Sequence, residues 1–267
     1  MTELSQAGTA LVTGAGRRLG REMALYLARR GHDVVVHYAA SRDAAEAVAA
    51  EIRALGRRAT TVGADLLVEA ETRSLVRAAR EALGAPLTLL VNNASLFVYD
   101  NIGSMSRESW DRNIETNLRA PVALTQDFAA QAPAAEGAPG AQRARALAVN
   151  LLDQRVRKLT PEYMSYTIAK MGLWAFTQTA ARALAPNVRV NAIGPGSTLR
   201  GAHQSEAQFQ AQRAATPLSR GPEPEDICAA LGYFIDAPSV TGQLLCVDGG
   251  QHLAWQTPDI LGSKRSD

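Results

Sequence analysis

Seven short apolar runs recur along this chain, most of them separated by stretches of helical periodicity, and that alternation limits the fold more than any other feature. The runs are Thr9 to Gly14, Asp33 to Tyr38, Arg58 to Leu66, Leu87 to Ser95, Arg145 to Leu152, Val188 to Gly196 and Thr241 to Gly250. One helix is expected to end at Arg30, where Gly31 can terminate it, and a second to run from Ser41, a natural N-cap, to Leu55 before Gly56. Further helices are expected over 69–83, 106–130 and 162–184. Strands this apolar are covered on both faces, which requires a parallel sheet between two layers of helices. The expected class is therefore α/β, doubly wound, with a seven-stranded parallel sheet in one domain over residues 1–267.

Three segments interrupt the rhythm. Residues 131–142, rich in Ala, Pro and Gly, read as a surface loop, to which the sequence assigns no role. Residues 197–220 follow the carboxyl end of a strand, where α/β ligand clefts lie; they form a candidate substrate lid, with a plain surface helix as the alternative. Beyond the last strand, Leu253, Ala254 and Trp255 suggest a docked tail or a subunit contact.

Composition excludes several classes. With 46% hydrophobic and 20% charged residues there is no case for disorder, and a net charge of +2 with scattered basic residues argues against nucleic acid. No apolar run approaches the roughly 18 to 20 residues of a membrane span, and the opening residues lack the pattern of a leader, so a cytoplasmic protein is expected. Cys228 and Cys246 stand singly in apolar stretches and read as buried, reduced thiols. His32, His37, His203 and His252 show no ligand spacing, so no catalytic metal is expected.

Between the first strand and helix lies "TGAGRRLG", with glycines at 14, 16 and 20. Such a turn lets backbone N–H groups approach a pyrophosphate at a helix N-terminus, which makes the fold Rossmann-type and the ligand a dinucleotide. NAD-binding proteins place an acid at the end of the second strand to hold the ribose 2'-hydroxyl; here "HYAASR" offers His37, Tyr38, Ser41 and Arg42, with Arg17 nearby. A 2'-phosphate needs such donors, so NADP(H) is favoured, unless Arg17 and Arg42 are only solvated surface charges. Asp65 could accept from the adenine amino group, or could cap a turn.

Tyr166 and Lys170 are four residues apart and share one helix face, with Asp153 at the end of the preceding strand. The lysine favours tyrosinate, and a neighbouring carboxylate favours the phenol. With Asp153 beside it, Tyr166 keeps its proton and can donate it, which suits reduction. Asp153 could instead merely cap Arg155 or the loop that follows.

In order along the chain, "TGAGRRLG", "NNA" at 92–94, Asn117, "YTIAK" and "GPG" at 194–196 resemble the signatures of the short-chain dehydrogenase/reductase family, over nearly the whole length. That resemblance implies Tyr166 as proton donor and Lys170 as the group that holds the nicotinamide ribose and lowers the phenol's pKa. Asn117 would support a water linked to the lysine. The candidate cofactor contacts are Gly14, Gly16, Arg17, Arg18, Leu19, Gly20, His37, Tyr38, Ser41, Asp65, Leu66, Asn93, Ala94, Ser95, Tyr166, Lys170, Pro195 and Gly196. Relatives are usually tetramers, which implies a homotetramer here, with the helices at 106–130 and 162–184 as candidates for the shared face.

Three departures narrow the resemblance. Most members carry Gly where Arg18 and Ser95 stand, and Ser where Asp153 stands. Together with Phe97, these residues resemble those of the pteridine reductases and related dihydropterin reductases. The implied substrate contacts are Arg18, Ser95, Phe97, Asp153 and Tyr166, with Phe97 stacked on a pterin opposite the nicotinamide. The expected function is NADPH-dependent reduction of a pterin. A carbonyl reductase using the same Tyr166 and Lys170 is the enzymatic alternative, and an NADP(H)-binding sensor the non-catalytic one.

Overall fold

The computed structural model describes residues 8–201 and 204–255. The first seven residues and positions 202–203 of the expected lid lie outside the described residues. Strand β1 (Thr9–Val12) leads into α1 (Arg18–Arg29), β2 (Asp33–Tyr38), α2 (Arg42–Ala54), β3 (Ala59–Gly63), α3 (Glu69–Leu83) and β4 (Leu89–Asn92). The second half runs through α4 (Arg107–Ile114), α5 (Ala120–Gln131), β5 (Ala146–Leu151), α6 (Met164–Ala183), β6 (Val188–Pro195), α7 (Glu206–Ala214), α8 (Pro224–Asp236) and β7 (Leu244–Val247). All seven strands are parallel, in the order β3-β2-β1-β4-β5-β6-β7, so the expected doubly wound α/β class holds.

Alternation within each strand builds the two cores. Ala10, Val12, Val34, Val36, Leu89 and Val91 face α1, α2 and α8, packing with Met23, Leu27, Ile52, Leu231 and Phe234. Their neighbours Leu11, Val35 and Leu90 face the opposite layer, with Leu75, Leu124 and Phe128. Strand order reverses between β1 and β4, where successive connections leave in opposite directions and open a crevice at the carboxyl ends.

The structure departs from the sequence reading at several places. The helix expected over 106–130 is split by a π-helical turn, Glu115–Arg119, in which Ala120 N–H reaches back five residues to Glu115 O. Pro121 supplies a cause, because it has no N–H to close the ordinary bond onto the Asn117 carbonyl four residues earlier. Helix α8 was not anticipated, although Pro224 stands at its first position and Glu223 N–H donates to Asp226 Oδ2 at 2.9 Å. Glu136, in the 131–142 loop, pairs across an antiparallel bridge with Arg143, just beyond its end. Leu253 is 61% and Trp255 69% exposed, so neither docks against the described residues of its own chain. Cys228 is buried as expected, and burial pushes its thiol up to about 12; Cys246 is only half-buried, because β7 is the uncovered edge of the sheet. No helix among the described residues is long and apolar enough to cross a membrane.

Phe128 is fully buried in the layer formed by α3 and α5. Phe128→Ala should lower unfolding stability by about 3 to 5 kcal/mol, whereas Leu55→Ala, at an exposed position, should stay within about 0.5 kcal/mol. Urea denaturation of both variants checks the contrast.

Candidate active site

The glycine turn is held from below by a buried histidine. Gly14 N–H donates to His37 Nδ1 at 3.0 Å, and Nε2 lies 3.0 Å from Ala64 O. Since Nδ1 accepts, Nε2 carries the proton and donates to Ala64. Burial lowers the pKa of this ring to about 4, so it is neutral. Both nitrogens are thus occupied inside the protein, and His37 is not the phosphate donor expected from its place in "HYAASR"; it fixes the turn instead. From the other side, Asn93 Nδ2 donates to Thr13 O at 2.8 Å, while Thr13 Oγ1 accepts from the N–H groups of Asn93 and Ala94, both at 2.9 Å.

The turn has the shape that a dinucleotide requires. A Cβ at Gly20 would lie 2.3 Å from Gly14 O, so this position has no room for a side chain. Helix α1 begins with no side-chain cap on its N–H groups and no acid in its first turn, which fits the diphosphate of a dinucleotide. Arg17 and Arg42 are exposed, Tyr38 and Ser41 half-buried, and all four could hold a 2'-phosphate. Asp65 Oδ1 accepts from Leu67 N–H at 2.9 Å, the turn-capping alternative, and Leu66 beside it is buried. At the end of β6, Gly196 N–H donates to Val247 O at 2.9 Å, and a Cβ there would lie 2.7 Å from Asp248. Arg18 adopts a positive φ of 53° and donates to the carbonyls of Leu199 (3.2 Å) and Arg200 (3.0 Å). Its guanidinium therefore ties the segment after β6 to the glycine turn.

The expected trio is assembled. Tyr166 and Lys170 are buried on α6; the phenol donates to Asp153 Oδ2 at 3.1 Å, and Lys170 Nζ donates to Leu151 O at 2.7 Å. Asp153 Oδ1 also accepts from Arg155 N–H at 2.8 Å, so the carboxylate both caps the turn and faces the phenol. Burial, then the charge and hydrogen bond of Asp153, holds the phenol well above its ordinary pKa, against weaker opposite effects of Arg155 and Ser95. Burial lowers the pKa of Lys170 itself to about 8, partly offset by Asp153. The arrangement stores a proton on Tyr166.

Asn117 sits in the π-helical turn, fully buried. Its Oδ1 accepts from Ser95 Oγ at 2.6 Å, and its Nδ2 donates to Leu96 O at 2.8 Å. The side chain therefore pins the loop after β4.

Phe97 is 52% exposed beside the phenol, its ring 4.7 Å from Tyr166 at an interplanar angle of 86°. It stacks on Tyr163 at 4.0 Å and 12°, and Tyr99 meets Tyr163 edge-on at 5.1 Å. The guanidinium of Arg155 lies 5.2 Å from the Tyr163 ring centre. The sequence reading missed Tyr163, Tyr99 and Arg155 as parts of this site. The i, i+3 spacing of Tyr163 and Tyr166 was the available signal, weakened because Tyr163 is in the left-handed region at the helix entrance.

The family model for short chain dehydrogenases matches residues 8–211. The chain belongs to that family and is an NADP-dependent reductase. Crystal structures described as FolM alternative dihydrofolate reductase 1 complexed with NADP, from Brucella canis and Brucella suis, are both 41% identical to it, with TM-scores of 0.87 and 0.88. They cover 97% and 96% of this chain and 99% of their own. The 3-oxoacyl-(acyl-carrier-protein) reductase FabG of Staphylococcus epidermidis is 33% identical over 252 residues, 92% of this chain and 99% of that protein.

Two measurements check the turn. NADPH should bind at least about tenfold more tightly than NADH, a difference of about 1.4 kcal/mol; equal affinities by calorimetry would count against the phosphate-binding assignment. His32 and His37 both have folded pKa values lowered by burial from 6.5 to about 4, so the unfolded chain takes up protons first as pH falls. Their contribution, complete above pH 6.5, should be lost between about pH 6.5 and 4, up to about 3 kcal/mol for each. Urea midpoints should fall over that range, less steeply in His37→Asn.

Proposed function

We propose that this NADP-dependent reductase acts on a pterin of the dihydropterin or dihydrofolate type. The observation that carries the reading is the partly buried hydrogen bond from Tyr166 to Asp153, beside the half-exposed ring of Phe97. A dihydropterin presents a flat ring, several N–H donors and a C=N bond that takes hydride at carbon and a proton at nitrogen. NADPH supplies the hydride. Tyr166 donates the proton, and Asp153 keeps it on the phenol beforehand while accepting from the substrate's N–H groups. Lys170 holds the nicotinamide ribose, Phe97 carries the ring on its face, and Ser95 and Arg18 bond its polar edge. The segment 197–220 closes over it as a lid. The resemblance to the Brucella proteins, whose descriptions name a dihydrofolate reductase activity, supports this substrate class.

The FabG relatives favour a second reading, reduction of a ketone by the same Tyr166 and Lys170. An intact proton donor with its lysine argues against a non-catalytic sensor. The reading also includes a cytoplasmic homotetramer, supported by Ile168 and Met171, exposed on α6. Light scattering at the mass of a single chain would count against the assembly.

Phe97→Ala and Asp153→Ser should each lower kcat/KM for a dihydropterin, and for Asp153→Ser the loss of a charge-assisted hydrogen bond should amount to roughly 10-fold to 150-fold, corresponding to about 1.5 to 3 kcal/mol. Asp153→Ser should leave turnover of a simple ketone steady or raise it. Tyr166→Phe should abolish both activities with NADPH affinity nearly intact. The pterin reading fails if NADPH-loaded protein reduces ketones and no pterin, and Asp153→Ser lowers that ketone activity.

A further inference from the structure

Helix α6 brings Tyr166 to the site in its first turn, yet it has no cap of its own: Tyr163 precedes it in the left-handed region and makes no side-chain bond to the helix. The cap comes from a residue 65 positions earlier. Asp100, fully buried in the loop that also carries Phe97 and Tyr99, accepts from Ser165 N–H through Oδ1 at 3.0 Å and from Met164 N–H through its backbone carbonyl at 3.3 Å. Its Oδ2 accepts from the Ser165 hydroxyl and from Ser109 Oγ at 3.0 Å, in the first turn of α4. The network continues inward. Ser165 Oγ accepts from Asn113 Nδ2 at 2.7 Å, Asn113 Oδ1 from Asn117 Nδ2 at 3.4 Å, and Asn117 Oδ1 from Ser95 Oγ at 2.6 Å.

No ion pair to Asp100 exists among the described residues, so its charge is balanced by the positive end of the 20-residue helix α6 and by hydroxyls. Burial would raise its pKa, but the bonds from Ser165, Ser109 and Met164 outweigh burial and hold it below the ordinary value. A buried charge satisfied this way resists displacement, because moving it strands both the carboxylate and its donors.

We infer that Asp100 is the positioning residue of this site: its carboxylate holds the first turn of α6 against the Phe97 loop, setting Tyr166 on Asp153 and beside the substrate platform in one act. The constraint is mechanical and concerns the proton donor shared by the pterin and ketone readings, so it stands whichever of them holds.

The test uses full-length Asp100→Ala, Asp100→Asn and Ser165→Ala, each assayed with NADPH and a dihydropterin, or with a simple ketone if only that is reduced. Asp100→Ala should lower kcat at least 30-fold while the Kd for NADPH changes less than about fivefold. Asp100→Asn, which keeps an acceptor for Ser165 N–H, should recover at least fivefold of that loss. A phenol released from Asp153 ionises more easily, so the alkaline fall of kcat should move to lower pH by at least half a unit in Asp100→Ala. NMR of the NADP complex labelled with 13C at tyrosine Cζ reads the same shift for Tyr166 without turnover. Should Asp100→Ala fail to fold, Ser165→Ala, which deletes only the hydroxyl between Asp100 and Asn113, should show the same shift at smaller amplitude. The inference is overturned if the folded variants lose thermal stability but keep kcat within twofold and the Tyr166 titration unchanged, or if Asp100→Asn is as inactive as Asp100→Ala.

Discussion

A parallel strand delivers its carboxyl end, and the loop that follows, to one edge of the sheet, and this chain places its chemistry there. The glycine turn follows β1, Tyr38 closes β2, the Asn93 to Phe97 loop follows β4, Asp153 follows β5 and Gly196 follows β6. Because the order reverses between β1 and β4, loops leaving in opposite directions leave a crevice no side chain of the core fills. The cofactor turn and the proton donor come from opposite sides of that reversal. Hydrogen bonds from Asn93 to Thr13 and Gly14 span it.

The buried ionisable groups at this edge divide into two kinds. His37 is neutral and has both ring nitrogens engaged, so burial costs it only its ability to take a proton. Asp100 retains its charge because a helix end and two hydroxyls satisfy it. Both are structural devices that hold reactive groups still. Asp153, Tyr166 and Lys170 differ: Asp153 acts on both of the others, raising the pKa of the phenol and partly offsetting the effect of burial on the lysine. Such coupling holds only where neighbouring secondary structure fixes the geometry, here α6 with the turn at Gln154–Arg157.

Aromatic packing ties the same parts together on the solvent side. Phe97 and Tyr99 both pack on Tyr163, and Phe97 meets the Tyr166 ring edge-on. A flat substrate entering here meets aromatic surface and a hydrogen-bonding acid at once, whereas an aliphatic ketone would use only the phenol. The proposed preference for a pterin rests on that difference.

The sequence by itself determined the sheet, most of its helices and the pairing of Tyr166 with Lys170, because these are local properties: a short continuous apolar run marks a strand covered on both faces, and a spacing of four places two side chains on one helix face. It also pointed to Asp153 beside Tyr166, since the end of one strand and the start of the next helix must meet at the same edge. Tertiary structure alone decided the rest. His37, a plausible phosphate donor in one dimension, turns inward because β2 is central and its alternate residues face the core. The cap of α6 comes from 65 residues away, a bond no local pattern records. The break at Asn117 needed Pro121 to be read as a missing donor within a helix, and the stacking of Tyr163 on Phe97 needed two loops to converge. Periodicity reports which face of an element is buried; which partner lies across the gap depends on the packing of elements distant in the chain.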